Sequence, residues 1–114
     1  MGPMELTEQK REKSLQVTVQ GRLDSRTASG FEGKLLGLIG AGEHTIVLDC
    51  GGLSYLSSAG LRALLVAAKK MKACDGRLVV AALKDEVREV FELSGFTTVF
   101  PIFASVAEAE ASFP

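Results

Sequence analysis

Two short runs, Thr45-Ile46-Val47-Leu48-Asp49 and Leu78-Val79-Val80-Ala81-Ala82-Leu83, show no polar alternation, and helical spacing follows each of them. A strand that is apolar on both faces has to be covered on both faces. Between the two runs, Leu61, Leu64, Leu65, Ala68 and Met71 draw one stripe on a helix that starts at Ser58 and closes near Cys74-Asp75-Gly76. Strand, helix, strand implies a right-handed crossover between parallel neighbours. The chain is therefore expected in the α/β class.

The flanking segments extend that pattern. Leu15, Val17 and Val19 alternate with Gln16, Thr18 and Gln20, the period of a half-buried strand, and Gly21 is expected to end it. Glu5 to Lys10 is more polar and reads as an edge strand paired with it. Ala28, Phe31, Leu35, Leu38 and Ile39 form the stripe of a first helix, with Asp24 or Ser25 as its cap and Gly40 and Gly42 as its stop. Gly51-Gly52 is expected to break the Thr45–Asp49 strand. After the second apolar run, Asp85-Glu86 opens a helix bearing Val87, Val90 and Phe91, which stops at Ser94-Gly95. Val99 to Phe103 reads as a last strand at a sheet edge, because Pro101 cannot donate to a ladder. Ser105 and Glu108 form a capping box for a final helix with Val106, Ala109 and Phe113 inward. The expected architecture is one domain over residues 1–114, with a mixed, mostly parallel sheet of four to five strands and about four helices. Met1 to Met4 is left out of that fold, as a disordered start or an addition ahead of a native start at Met4.

Composition narrows the function. With 114 residues and 46% hydrophobic content, one core forms without disulfide or metal staples. Thirteen Lys and Arg against 14 Asp and Glu leave a net charge of -1, so no direct nucleic-acid partner is expected. Lys10-Arg11-Glu12-Lys13 and Lys69-Lys70-Met71-Lys72 read as solvated ends of elements. The longest uncharged stretch, Leu93 to Ala107, holds Gly95, Pro101 and several hydroxyl residues, so membrane insertion is not expected. The first residues lack the pattern of a secretion signal, and Cys50 and Cys74 read as free buried thiols in a cytoplasmic protein. With His44 as the only imidazole there are too few soft ligands for a metal, and no cofactor is expected.

Catalytic motifs fail on spacing. A nucleophile elbow needs glycine two residues either side of the serine, but Leu56 precedes Ser58, while Tyr55 and Ala59 flank Ser57. His44 sits in a polar turn, so a triad is unsupported. Gly51-Gly52 through Gly60 lacks the lysine of a phosphate loop and the glycine pattern of a dinucleotide site. Asp24, Asp49 and Asp85 read as caps or strand ends. What remains is Tyr55-Leu56-Ser57-Ser58-Ala59-Gly60-Leu61-Arg62 at the start of the second helix. One serine there can be an N-cap, and a helix start can also stabilise a phosphate on Ser58.

Three segments together resemble the STAS family, and more closely its bacterial anti-sigma factor antagonists. They are Gly21-Arg22-Leu23-Asp24-Ser25-Arg26-Thr27-Ala28, Ile46-Val47-Leu48-Asp49, and Leu53-Ser54-Tyr55-Leu56-Ser57-Ser58-Ala59-Gly60-Leu61-Arg62. The resemblance spans nearly the whole chain. It implies an α/β domain, without catalysis of its own, that binds an anti-sigma factor of the GHKL serine kinase type and so frees a sigma factor. The same kinase is implied to phosphorylate Ser58, and a PP2C-like phosphatase to reverse it. Ser57 stands where the family pattern often has Asp, which makes it a rival acceptor. Asp24 and Ser25 are implied to lie beside Ser58, with Gly60, Leu61 and Arg62 completing the partner surface. The alternative is a non-catalytic STAS adaptor subunit in a lipid or anion transport assembly; a nucleotide-binding or hydrolytic protein ranks last for want of motifs.

Overall fold

The computed structural model describes residues 4–114 as a five-stranded sheet in the order β1-β2-β3-β4-β5. The strands are β1 (Met4–Lys10), β2 (Leu15–Leu23), β3 (Thr45–Leu56), β4 (Arg77–Ala81) and β5 (Ile102–Phe103). β1 pairs antiparallel with β2, and every later pairing is parallel. The helices are α1 (Ala28–Gly40), α2 (Ser58–Ala73), α3 (Asp85–Leu93) and α4 (Val106–Ala111). The α/β class, the mixed sheet and the helix count agree with the sequence expectation. Met4, expected outside the fold, instead pairs with Gly21 in β1. The expectation for Met1, Gly2 and Pro3 lies outside the described residues.

The sheet separates two cores. Leu15, Val17, Val19, Ile46, Leu48 and Val80 face α1, α2 and α3, while Val47, Val79 and Ala81 face α4 through Ala109 and Phe113. This is why β3 and β4 read as apolar on both faces. Ser105 caps α4 as expected, accepting the Glu108 N–H at 3.1 Å.

Two glycine positions behave differently from expectation. β2 continues through Gly21 to Leu23, with Gly21 at φ 104°, a left-handed value that glycine tolerates. β3 likewise runs through Gly51-Gly52 to Leu56. Against β2 it gains one residue between Thr18 and Gln20, and another between Gly21 and Arg22. These irregularities reset the alternation: Ile46, Leu48 and Cys50 point to the helices, and so do Leu53 and Leu56, three residues apart. Gly52 permits the close passage, because a Cβ there would lie 2.8 Å from Gln20 Cγ. The glycine pair thus sits inside a strand as a bulge.

β5 is shorter than expected, since Phe96–Thr98 forms a 3-10 turn and only Ile102 and Phe103 pair with β4. The cap of α1 also moves. Its N-cap is Thr27, whose Oγ1 accepts the Asp24 N–H at 3.0 Å and donates to the Arg22 carbonyl at 2.9 Å. Asp24 instead organises the preceding turn: its Oδ1 accepts the Arg26 N–H at 2.9 Å. Ser25 is exposed in that turn.

Candidate functional site

The site forms where β2 and β3 end side by side. Leu23 lies opposite Leu56, and the Ser57 N–H donates to the Leu23 carbonyl at 3.0 Å, so the pairing continues one residue beyond β3. Asp24-Ser25 and Ser57-Ser58 therefore leave the same end of the sheet as neighbours. Gly60 lets the first turn of α2 settle on that junction. A Cβ at this buried position would meet Leu23 Cγ and Leu56 Cδ1 at 2.8 Å and the Leu23 carbonyl oxygen at 2.9 Å.

The two candidate hydroxyls are in different situations. Ser57 is the half-buried N-cap of α2, and its Oγ accepts the Gly60 N–H at 3.3 Å. Ser58 is exposed, and no hydrogen bond among the described residues engages its Oγ. The first turn of α2 carries no acidic side chain, so its positive end is not offset locally. The backbone N–H groups of Ser58 and Ala59 lie in the first turn, where no preceding carbonyl serves them. Leu61 is half-buried against the core, whereas Arg62 is exposed and forms no ion pair among the described residues.

Arg22 and Tyr55 belong to the same surface and were not foreseen from sequence. They pair across β2 and β3, with the Arg22 guanidinium 4.1 Å from the Tyr55 ring centroid and its Nε 3.7 Å from Asp24 Oδ2. Tyr55 is 42% exposed although it is one of the largest apolar side chains available. Ending β2 at Gly21 concealed this pair, because only a strand continuing to Leu23 sets Arg22 opposite Tyr55. The Asp24 carboxyl is held below its ordinary pKa, first by the Arg26 backbone hydrogen bond, with Thr27 and the Arg22 charge adding to it. The anionic form of Asp24 is thus favoured in the turn that follows β2.

The other candidates stand apart. Asp49 lies within β3, bonded to the Gly51 N–H at 3.1 Å and to Gln16 Nε2 at 3.3 Å. His44 is exposed ahead of β3. Cys50 is buried, but Cys74 is only half-buried, because α2 has already ended and its thiol turns back to the Met71 carbonyl at 3.3 Å. Among the described residues no group of three or more His, Cys, Asp or Glu could hold a metal ion, and no helix is long and apolar enough to cross a membrane.

The profile of the STAS domain matches residues 4–109. The chain belongs to the STAS family. A Bordetella bronchiseptica STAS relative, BtrV, provisionally named an anti-sigma factor antagonist, is 44% identical over 110 residues, covering 96% of this chain and 95% of that one. Among solved structures, an anti-sigma factor antagonist from Mycobacterium paratuberculosis superposes with a TM-score of 0.86 at 22% identity, covering 96% of this chain and 92% of that one. The anti-sigma factor antagonist SpoIIAA in its unphosphorylated form gives a TM-score of 0.78 at 23% identity, covering 92% of each chain. These structures share the STAS fold with this chain, as its motifs implied.

Proposed function

We propose that this chain is a cytoplasmic anti-sigma factor antagonist whose Ser58 end docks on an anti-sigma factor of the GHKL serine kinase type and releases a sigma factor. The kinase phosphorylates Ser58 and so ends the complex, and a PP2C-like phosphatase restores it. The chain itself performs no catalysis. The observation that carries the reading is the contrast between two adjacent hydroxyls: Ser57 is committed to capping α2, while Ser58 is exposed and uncommitted. It is supported by the 44% identity to BtrV and by SpoIIAA, a protein of the same fold that has also been solved in a phosphorylated form.

Phosphate on Ser58 adds about -1.5 to -2 charges and three acceptor oxygens. The first-turn amides of α2 can hold it, so the fold need not rearrange. A partner packed over Ser58, Leu61 and Arg62, and over Asp24 and Ser25 alongside, would have to desolvate that dianion next to the Asp24 carboxylate. A loss of ~3 kcal/mol weakens binding about a hundredfold. The substitution of Ser57 for the frequent Asp leaves one fewer negative charge at the acceptor, and Asp24 supplies one from the neighbouring turn.

The test is incubation with the cognate kinase and ATP, followed by phosphosite mapping by mass spectrometry. Phosphate is expected on Ser58, with Ser58→Asp weakening the complex and Ser58→Ala preserving it. No incorporation by a kinase that binds the protein, or incorporation at Ser57 alone, overturns the assignment. Copurification with a membrane permease in place of a kinase would favour the adaptor reading.

A further inference from the structure

A groove of about 850 Å³ opens between the C-terminal half of α2, β4, the stretch from Thr98 to Phe103 and the Ser112-Phe113 pair that follows α4. It lies toward the end of α2 remote from Ser58, its α2 lining running from Leu65 to Lys72, about 10 to 21 Å from Ser58 along the helix axis by the rise per residue. Its floor contains an interrupted ladder. Val80 and Ala82 donate to the Pro101 and Phe103 carbonyls at 3.0 Å, so the even-numbered residues of β4 face β5. Leu78 is next in that series. Extending the ladder to it would require an N–H from Pro101 to the Leu78 carbonyl, and proline has none. The pairing stops at Val80, and the Leu78 N–H and C=O are left without partners among the described residues. Leu78 is nevertheless only 7% exposed.

An unpaired donor and acceptor on one strand residue match another peptide group, whereas a fatty acid or a phosphate supplies acceptors alone. The rim states the charge of that peptide. Lys69, Lys72 and Arg77 line the groove and form no ion pair among the described residues, with Asp75 as the only acid beside them. Lys72 suits the last turn of α2 for the helix dipole. Lys69 and Arg77 lie outside that last turn and are exposed. Val99, 43% exposed, and half-buried Phe103 provide apolar surface between the cations and the strand edge.

We infer that this groove is a second docking site, which takes an extended acidic segment of a partner protein as a short strand added to the open part of β4. Leu78 exchanges two backbone hydrogen bonds with the segment, its apolar side chains rest on Val99 and Phe103, and its carboxylates meet Lys69, Lys72 and Arg77. Because the groove and Ser58 occupy opposite ends of α2, the segment can bind whether or not Ser58 carries phosphate.

The test uses the full chain and a fluorescein-labelled acidic peptide, acetyl-Glu-Val-Asp-Val-Glu-Val-amide, with its lysine-for-acid counterpart and a version N-methylated at alternate residues as controls. Fluorescence anisotropy and amide exchange by NMR are read together. The acidic peptide should bind, slow exchange of the Leu78 amide, and lose about tenfold or more in affinity in a Lys69→Glu/Lys72→Glu variant; both control peptides should fail. The exposed sites of those substitutions keep the variant folded, which its amide spectrum verifies. Absence of binding at millimolar peptide overturns the inference. So does binding that leaves Leu78 unprotected or ignores charge reversal, displacement of the peptide by decanoate without Leu78 protection, or occupation of the groove by a second copy of this chain.

Discussion

Replacing Gly60 by alanine should destabilise the protein, although alanine in a helix interior is favoured over glycine by about 1 kcal/mol. The added methyl would sit 2.8 Å from Leu23 Cγ, 2.8 Å from Leu56 Cδ1 and 2.9 Å from the Leu23 carbonyl oxygen. Leu23 and Leu56 are 1% and 5% exposed, so neither side chain has room to swing aside. The carbonyl oxygen is held by the Ser57 N–H at 3.0 Å. Forcing a methyl into a filled core costs about 1–3 kcal/mol, and simultaneous contact with two side chains and a backbone atom places this case toward the upper end. After subtracting the helix preference, Gly60→Ala should lose about 1–2 kcal/mol. Gly37 in α1 is the matched control, because nothing lies within 4 Å of its added Cβ, and Gly37→Ala should gain about 0.5–1 kcal/mol. Urea denaturation followed by circular dichroism would then show midpoints moving in opposite directions with unchanged slope. A Gly60→Ala midpoint at or above that of the original protein refutes the argument that glycine is needed for the approach of α2 to β2 and β3.

Other outcomes follow from single contacts. Ser57→Ala should remove the α2 cap and about 1 kcal/mol of stability, yet leave kinase-dependent phosphate at Ser58; loss of that phosphate in a folded variant would make Ser57 the acceptor. Glu110 is held below its ordinary pKa chiefly by the hydrogen bond from Ser14 Oγ at 2.5 Å, with the Lys13 N–H at 2.7 Å adding to it. A depressed carboxyl contributes stability above its unfolded value and loses it as pH falls through its folded value. Glu110→Gln should therefore flatten the acid limb of stability below the ordinary glutamate range while leaving its pH dependence near neutrality unchanged, and an unchanged limb would refute the role given to this contact. Burial pushes the Cys50 thiol up to about 12, with the Asp49 charge adding to the shift. A thiol reagent at neutral pH should modify half-buried Cys74 first and reach Cys50 only on unfolding; equal native rates would show that Cys50 is accessible.

Much of the sheet could be read from residue order. The unbroken apolar runs at Thr45–Asp49 and Leu78–Leu83 predicted strands covered on both faces, although β4 ends at Ala81 because Ala82 takes a left-handed φ of 63°, and the Ser105–Glu108 spacing predicted the cap of α4. The misread positions share one cause. Gly21 and Gly51-Gly52 read as stops in the sequence, and Asp24 or Ser25 as a cap, because local propensity is the only guide there. Pairing between β2 and β3 overrides that preference: backbone hydrogen bonds carry both strands past the glycines, and Thr27 turns its hydroxyl back to Arg22 and Asp24. The stack of Arg22 on Tyr55 was hidden for the same reason.

Residue order by itself determined the class of fold, the helix faces and the serine pair as a point of interest, since periodicity and capping act over a few neighbouring residues. Which serine is free was decided only by tertiary structure. The Ser57–Leu23 hydrogen bond and the close approach of Gly60 to Leu23 join segments more than thirty residues apart, and they fix which hydroxyl caps α2 and which one faces outward. The open edge at Leu78 arises the same way: Pro101 announces a missing donor, but only the register between β4 and β5 says which carbonyl goes without it.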